Sequence, residues 1–316
     1  MSRQTPIAFF AYNRPAHTRL ALNSLGACDR LDECKIYIHS DGPRIDEHNA
    51  AVTQVRTIIH TWGAEHNAQI IEQNKNLGLA RSIVSGVSRL CEEYGRVIVI
   101  EDDLILHPGF IDYMLSALDR YEDEDRVAQV SGFMYPVKHD KKPDAFFLPV
   151  TTTWGWGTWN RSWKDVDWQA TAALDMLKDF AVRQRFDLDG TYPYTAMLQD
   201  RIHGKNQSWG VLFYWWAFSQ QKLTLHPRQS LVMNKGFDGS GYHSSVPTVG
   251  YGVLFDESSQ WNKIIDWQID LKIHDLAYEK IKIYLKKLSP SIFRRIASRV
   301  KISLKKLAQT TINKPV

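Results

Sequence analysis

The feature that most constrains the fold is a regular alternation of short apolar runs with helical patterns in the first third of the chain. The apolar runs read PIAFFAY, CKIYIHS, QIIEQ and RVIVI, and segments of helical pattern at 14–25, 46–61 and 77–94 separate them. This alternation is typical of βαβ units around a parallel sheet. Because the runs are almost continuously apolar, we expect helices to cover both faces of their strands. The sequence therefore predicts an α/β fold.

Each apolar run is followed by a polar or loop-forming cluster. In chain order these clusters read NRP, SDGPR, NKNLG and EDD. Ligands of open α/β sheets bind at the carboxyl ends of the strands. We therefore expect all four clusters to line one crevice.

The last of these clusters places three carboxylates, Glu101, Asp102 and Asp103, directly after an apolar strand. Adjacent carboxylates repel one another and lose hydration on burial unless a cation or solvent compensates them. Oxygen ligands suit Mg²⁺ or Mn²⁺, and such ions typically take one or two carboxylates and fill their other positions with phosphate and water. The alternative is that the acids cap the helix near Pro108 or lie solvated in a turn. Their position at a strand end favours the metal site.

The regular alternation ends after Gly132, where the chain becomes rich in Trp, Gly and Thr in the stretch TTTWGWGTW. Further along, the sequence predicts a helix over 194–201, a strand at KLTLHP and a glycine-rich loop at NKGFDGSGYH. Trp215 and Trp216 lie in an aromatic run that we expect in the core.

Four motifs, FAYNRP, IHSDGP, NLGLARSI and VIVIEDDLILHPGF, occur in an order and at a spacing that resemble the nucleotide-sugar half of GT-A glycosyltransferases. The likeness is to N-acetylglucosaminyltransferase I-like enzymes and to bacterial family 2 relatives, whose divergent DxD motif reads EDD. The resemblance implies a GT-A fold, which is Rossmann-like with a mostly parallel central sheet and flanking helices. It divides the chain into a nucleotide-sugar half at 1–132, an acceptor half at 133–255 and a helical tail at 256–316.

The resemblance also implies roles for single residues in the first half. Asp103 would ligate the metal ion that bridges the donor diphosphate, and Asp102 would face the ribose or the sugar. Asp41 would contact the nucleoside, while Arg14 and Arg81 would lie near the base and the phosphates. The alternatives are that Arg14 merely starts a helix and that Arg81 lies on an exposed helical face, since single charged residues are usually solvated.

An inverting sugar transfer needs a base that deprotonates the acceptor hydroxyl. Asp200 in AMLQDRI resembles the acid that GT-A enzymes use for this step, although Gln199 stands where that motif usually has another acid. The alternative is that Asp200 is a surface residue that forms an ion pair with a neighbouring basic residue, Arg201 or Lys205. Two further acids in WKDVDW, Asp165 and Asp167, are reserve candidates.

The stretch TTTWGWGTW matches in position the glycine-rich loop that closes over the donor in these enzymes. Gly155 would allow close backbone approach, while Trp154 and Trp156 would offer flat apolar surfaces to sugar rings. The alternative for both tryptophans is a place in the core. His243 resembles the C-terminal histidine that reaches the metal or the diphosphate, and its alternative is a structural or surface role.

The C-terminal tail has an unusual charge. Residues 280–316 contain 11 Lys and Arg and no acid, which leaves 28 basic against 35 acidic residues, a net charge of −7, in the rest of the chain. Residues 269–288 and 291–307 both read as amphipathic helices, separated at Pro290. A basic amphipathic helix is typical of binding to anionic lipid. The alternative is a helix docked on the acidic body. No nucleic-acid recognition motif accompanies the basic residues, so we expect no nucleic-acid partner.

The cysteines and the hydropathy indicate the cell compartment. Cys28, Cys34 and Cys91 are odd in number and form no CxxC, so we expect neither a disulfide framework nor a zinc site. IAFFAY is too short for a signal peptide, and no stretch approaches the ~20 apolar residues of a spanning helix. We expect a cytoplasmic protein held peripherally at the inner face of the cell membrane.

Together with the carboxylate cluster, the resemblance implies a metal-dependent, inverting hexosyl- or N-acetylhexosaminyl-transferase that uses a nucleoside-diphosphate sugar and Mn²⁺ or Mg²⁺. The resemblance to bacterial relatives implies a glycan or lipid-linked glycan acceptor, as in lipopolysaccharide or capsule synthesis. One alternative is a nucleotidyltransferase, but such enzymes would show a glycine-rich basic loop after the first strand, and AYNRPAHT contains no Gly. The other is a catalytically dead, membrane-associated sugar-binding protein, which Gln199 keeps open.

Overall fold

The computed structural model describes residues 4–140, 142–236 and 265–288. Its strands are β1 (Thr5–Ala11), β2 (Cys34–Ser40), β3 (Gln69–Glu72), β4 (Arg96–Glu101), β5 (Leu104–Leu106), β6 (Val127–Ser131), β7 (Ala145–Leu148), β8 (Trp156–Trp159), β9 (Leu223–Pro227) and β10 (Val232–Asn234). Its α-helices are α1 (Pro15–Gly26), α2 (Asn49–Glu65), α3 (Leu79–Tyr94), α4 (Phe110–Arg120), α5 (Asn160–Trp163), α6 (Ala173–Met176), α7 (Phe180–Phe186), α8 (Tyr194–Ile202), α9 (Gly210–Ser219) and α10 (Asp275–Leu288).

The centre of the structure is an eight-stranded sheet with the order β3-β2-β1-β4-β8-β6-β9-β7. β1 is parallel to β2 and β4, β2 is parallel to β3, and β6 is parallel to β9. β8 runs antiparallel to β4 and β6, and β7 runs antiparallel to β9. The prediction of a mostly parallel α/β sheet is thus confirmed, and strands from both predicted halves, 1–132 and 133–255, share this one sheet.

The first half folds as its sequence pattern predicts, with helix ends within four residues of the expected ones. Alternate residues of β1 point into two apolar clusters: Ile7 and Phe9 into one, Ala8 and Phe10 into the other. The sheet is therefore covered on both faces, as the continuous apolar runs require. Phe10 pairs with His39 of β2 and with Glu101 of β4, so these three strands end at the same edge.

The stretch TTTWGWGTW differs from its prediction, because Trp156–Trp159 is not a loop but strand β8 in the middle of the sheet. Trp156 and Trp159 point to opposite faces and join different apolar clusters. Gly157 packs closely on β4, since a Cβ there would lie 3.2 Å from the carbonyl oxygen of Val97. Helix α9 contains Trp215 and Trp216, and both are buried, as predicted.

The beginning of the C-terminal tail packs on the sheet. Trp267 and Ile273 form isolated parallel bridges to β7, and α10 begins at Asp275 rather than at 269. Ala277, Ile281 and Leu285 on its apolar face are buried in the main core cluster. For this helix the structure therefore shows the docked alternative.

The second predicted tail helix, 291–307, lies outside the described residues. Within the described ranges, no helix combines the length and the apolar character needed to cross a membrane.

Candidate active site

The three consecutive carboxylates lie at the shared edge where β1, β2 and β4 end. Glu101 is the last residue of β4, and Asp102 and Asp103 form the turn that leads into β5. The side chains of Asp102 and Asp103 are only 5% and 16% exposed. The tight connection between two strands thus holds three acids together and largely out of water.

Arg14 is the residue before α1, and its guanidinium brings positive charge to this cluster. Its Nη2 donates to Asp102 Oδ1 and, at 3.1 Å, to Asp103 Oδ2. The backbone N–H of Tyr12 donates to Asp102 Oδ2 at 3.2 Å. Burial alone would lower the pKa of Arg14, but Asp102 and Asp103 together raise it above its usual value. The structure thus brings together three of the residues that the resemblance singles out: Arg14, Asp102 and Asp103.

One guanidinium does not balance three carboxylates. Burial raises the pKa of Glu101 well above its usual value, and the nearby Asp103 and Asp102 raise it further. Burial also raises the pKa of Asp102, although the contact with Arg14 acts in the opposite direction. Among the described residues this edge is therefore short of positive charge, which makes it suited to a further cation.

The short antiparallel pair of β5 and β10 forms a second wall of the site. Asn234 pairs with Leu104, and the backbone N–H of Lys235 donates to the carbonyl oxygen of Asp103 at 2.8 Å. A Cβ on Gly236 would overlap Asp103 Oδ2 and would lie 3.1 Å from Asn234 Oδ1. Sequence reasoning missed these residues, although a strand followed by NKG was a signal for close backbone approach.

The oxygen atoms at this edge fit a hard divalent cation that also binds a phosphate. Asp103 Oδ2 and Asn234 Oδ1 both face the position of Gly236. In the described part of the chain, no three His, Cys, Asp or Glu side chains converge as they would around a metal ion. A metal held here would therefore take most of its ligands from water and phosphate, as Mg²⁺-type ions do. His243, the second predicted ligand, lies outside the described residues.

Asp41 lies at the same edge but in a very different environment. Its Oδ1 accepts from the backbone N–H groups of Gly42 and Leu77 at 2.9 and 2.8 Å. Its Oδ2 accepts from the N–H of Gly78 and the side chain of Asn76 at 2.9 and 3.0 Å. A carboxylate has about four acceptor positions, so these four donors use them all. In the structure Asp41 therefore holds the turn before α3, and its predicted contact with a nucleoside stays a prediction.

Arg81 and Asp200 are both accessible. Arg81 lies exposed in the first turn of α3. The side chain of Asp200, on α8, is 49% exposed and lies 3.5 Å from Lys205 Nζ, the surface pairing that the sequence leaves open. Of the reserve candidates, Asp165 is exposed, and Asp167 accepts the N–H groups of Gln169 and Thr171 in a turn.

Of the two tryptophans predicted to stack on a sugar, Trp156 lies in the core instead. It is fully buried among Trp163, Trp209 and Phe213, so it presents no surface to a sugar, and this part of the prediction is corrected. Trp154 is partly buried and packs edge-on against Phe133 with ring centroids 4.6 Å apart.

Gly155 has a φ of 58°, a conformation that favours glycine, and a Cβ there would lie 2.7 Å from Val232 of β10. Its carbonyl oxygen accepts the N–H of Gly132 at 2.7 Å. These contacts explain Gly155 by close packing within the fold.

Comparison with known proteins gave one family and several distant structures. The family model described as "Glycosyl transferase family 2" matches residues 7–178. Among solved structures, the mannosyltransferase PcManGT of Pyrobaculum calidifontis, in complex with GDP-Man and Mn²⁺, is 12% identical with a TM-score of 0.38 over 69% of this chain and 74% of that chain. Residues 1–349 of Staphylococcus aureus TarS are 14% identical with a TM-score of 0.37 over 52% of this chain and 49% of that chain.

Glucosyl-3-phosphoglycerate synthase of Mycobacterium tuberculosis, in complex with Mn²⁺, UDP and glucosyl-3-phosphoglycerate, is 11% identical with a TM-score of 0.32, over 50% of this chain and 57% of that chain. The match covers only 30% of a longer TarS chain. A comparison with curated protein sequences gave no match.

Proposed function

The chain belongs to glycosyl transferase family 2 and has the GT-A fold, and we propose that it transfers a sugar from a nucleoside-diphosphate donor with the help of Mn²⁺ or Mg²⁺. The observation that carries the proposal is the cluster of Glu101, Asp102 and Asp103, in which the guanidinium of Arg14 contacts Asp102 and Asp103. Such a cluster is costly in the empty protein, and a divalent ion with a diphosphate would compensate it.

Two acids of the cluster and two arginines have proposed tasks. Asp103 would hold the metal ion, which when bound would stabilise the negative charge that develops on the leaving diphosphate. Arg14 would bind phosphate oxygens, since a guanidinium matches their geometry. Asp102, held by the N–H of Tyr12, would orient the ribose or the sugar. Arg81 would reach the base or the phosphates from the exposed first turn of α3.

The acceptor half would supply the base and part of the sugar site. Asp200 stays the candidate base of an inverting transfer because its half-exposed carboxylate is accessible to an acceptor hydroxyl. Trp154, partly exposed beside Phe133, stays the candidate for stacking on a hexosyl or N-acetylhexosaminyl ring.

The acceptor that we propose is a glycan or lipid-linked glycan of a bacterial surface polysaccharide, with the enzyme held at the inner face of the cell membrane by its basic C-terminal residues. A truncation tests this part of the proposal. It should remove residues 289–316 and keep α10, because Ile281 and Leu285 of that helix belong to the core. If the truncated protein still sediments with anionic vesicles and still uses a lipid-linked acceptor, the membrane part of the proposal fails.

The main test is a thermal-shift panel of UDP-, GDP-, dTDP- and CMP-sugars, each with and without Mn²⁺. A ligand at 100 times its Kd should stabilise the fold by ~2.7 kcal/mol. We expect one donor class to stabilise the protein only with metal, and Asp103→Asn to abolish the shift. Asp32→Asn is the matched control, because Asp32 is an exposed acid outside the cluster.

The same donor should then support sugar transfer in an acceptor assay. If no donor raises the melting temperature, or if Asp103→Asn responds as the unchanged protein does, the proposed donor site is wrong. Binding of donor and metal without any turnover would favour the sugar-binding alternative.

A further inference from the structure

The guanidinium of Arg14 contacts the carboxylate of Asp103, the proposed metal ligand. Its Nη2 lies 3.1 Å from Asp103 Oδ2 and also contacts Asp102, and the three side chains are 19%, 16% and 5% exposed. Solvent screens such a contact much less than it screens a surface ion pair. The guanidinium is therefore in direct contact with this carboxylate rather than a distant neighbour of it.

The space around Asp103 Oδ2 leaves little room for two cations. The guanidinium and the backbone at Gly236 both lie next to this oxygen, since even a Cβ on Gly236 would overlap it and would lie 3.2 Å from Arg14 Nη1. A divalent ion bound to Asp103 Oδ2 would be close to the guanidinium and would repel it. Metal binding at this oxygen thus requires Arg14 to leave Asp103.

The backbone of Arg14 is fixed while its side chain takes no part in capping. Arg14 precedes Pro15, and its carbonyl oxygen accepts both the N–H and the hydroxyl of Thr18 at 2.9 Å. The guanidinium makes no cap bond to α1. A long side chain on a fixed backbone can exchange the carboxylates for a phosphate without moving the helix, and phosphate is a partner that a guanidinium binds strongly.

We propose that Arg14 is a built-in counter-cation that competes with the metal in the empty site, so that metal and nucleoside diphosphate bind cooperatively. The diphosphate takes the guanidinium while the metal takes Asp103, and each therefore favours the binding of the other. This inference rests on the proposed donor site. Coupling between two ligands is reciprocal and amounts typically to ~5–150-fold in affinity.

The test measures the affinity for Mn²⁺ by the electron paramagnetic resonance of free Mn²⁺, with and without the nucleoside diphosphate of the donor found in the thermal-shift panel. The unchanged protein should bind Mn²⁺ weakly alone and at least ~10-fold more tightly with the nucleotide. Arg14→Met should bind Mn²⁺ alone at least ~10-fold more tightly than the unchanged protein, and the coupling factor should fall by a similar ratio.

Two further variants make the comparison specific. Arg14→Lys keeps the positive charge, so its affinity for Mn²⁺ alone should stay low. Arg19→Met removes an exposed arginine from the same helix and should behave as the unchanged protein does. Circular dichroism checks that each variant is folded.

The outcomes separate this inference from the proposed function. If Arg14→Met binds Mn²⁺ alone no more tightly than the unchanged protein, the counter-cation role is wrong while the donor site stands. If the unchanged protein binds Mn²⁺ equally well with and without nucleotide, the inference is also wrong, whether or not Arg14→Met folds. If Mn²⁺ binds under neither condition, the metal-dependent donor site and this inference both fail.

Discussion

Asp41 and Asp103 follow strands that both pair with β1, yet their carboxylates are in opposite situations. Asp41 accepts four hydrogen bonds, three of them from backbone N–H groups of Gly42, Leu77 and Gly78. As far as the structure describes the chain, the cluster that contains Asp103 has three carboxylates and one guanidinium, which contacts two of them. The fold thus compensates one acid completely and leaves the others short of positive charge.

The difference separates an acid that stabilises the fold from acids that are kept for a ligand. Burial of a carboxylate is favourable when donors satisfy all its oxygens, and it is costly when like charges surround it. Functional sites commonly retain such costly groups. Substitution at the ends of these two strands should therefore change stability in opposite directions.

The largest expected effect is the loss of activity in Asp103→Asn. We expect the turnover number to fall roughly 10²–10³-fold, because one source of charge stabilisation at the diphosphate is lost. The melting temperature of the ligand-free protein should stay the same or rise, because one negative charge leaves a crowded cluster. Steady-state kinetics and thermal unfolding of the same preparation test both statements. A clear drop in melting temperature would show that Asp103 supports the fold in the way that Asp41 does.

The second prediction concerns Asp41→Asn. The amide has one acceptor oxygen in place of two, so two of the four donors at 2.8–3.0 Å lose their partner or face an NH₂ group. We expect a loss of about 2–4 kcal/mol in the free energy of unfolding, from the loss of hydrogen bonds to a charged group. Chemical denaturation measures it, with Asp32→Asn as the control.

The opposite result would reverse the assignment of Asp41. If Asp41→Asn unfolds as the unchanged protein does but loses donor binding, Asp41 is a ligand-binding residue, as its position in the sequence indicates.

The sequence was sufficient for the first half of the fold because local pattern and tertiary structure agree there. Apolar runs such as RVIVI became buried strands, and the polar clusters met at one edge because parallel strands end together. The contacts and roles of single residues were harder to predict from the sequence. Nothing in IHSDGP tells that Asp41 points to the backbone of Leu77 and Gly78, since that contact joins residues far apart in the chain.

The second half was harder to predict because its pattern is ambiguous. WGTW is glycine-rich, like a loop, but it is a central strand whose tryptophans fill both faces of the sheet. Asn234 and Gly236 reach the site through the pairing of β10 with β5, more than a hundred residues earlier in the chain. Such long-range pairing leaves almost no signal in one sequence.

The third prediction tests the strand that leads to Asp41. His39 of β2 stacks on Phe10 at 4.7 Å, and burial, aided by Arg89, lowers its pKa to about 4. In the unfolded chain a histidine has a pKa near ~6.5, so the folded state binds the proton less readily. Above pH ~6.5, His39 is neutral in both states and its contribution to stability is fully present. As the pH falls from there toward 4, we expect the free energy of unfolding to decrease by roughly 1–3 kcal/mol.

His39→Gln provides the comparison, because glutamine does not titrate. We expect the stability of this variant to depend less on pH between 7 and 4 than that of the unchanged protein, whatever its stability at pH 7. Denaturant unfolding at several pH values measures the two slopes. His139 and His226, whose pKa values burial also lowers to about 4, are present in both proteins, so only the difference reports on His39. Equal slopes would mean that protonation of His39 does not oppose folding.

The smallest expected effect is that of Lys205→Gln. This substitution removes the ion-pair partner of Asp200, an acid that differs from both Asp41 and Asp103. Asp200 is neither saturated nor crowded, since its half-exposed side chain lies 3.5 Å from a lysine that is itself 68% exposed. Exposed ion pairs contribute at most ~1 kcal/mol, so we expect a change of about 0.5 kcal/mol or less in the free energy of unfolding. Turnover should also change little if Asp200 is the base, because the carboxylate itself remains. A loss of several kcal/mol in Lys205→Gln would instead mean that the pair with Lys205 is part of the fold, and Asp200 would then join Asp41 as a structural acid.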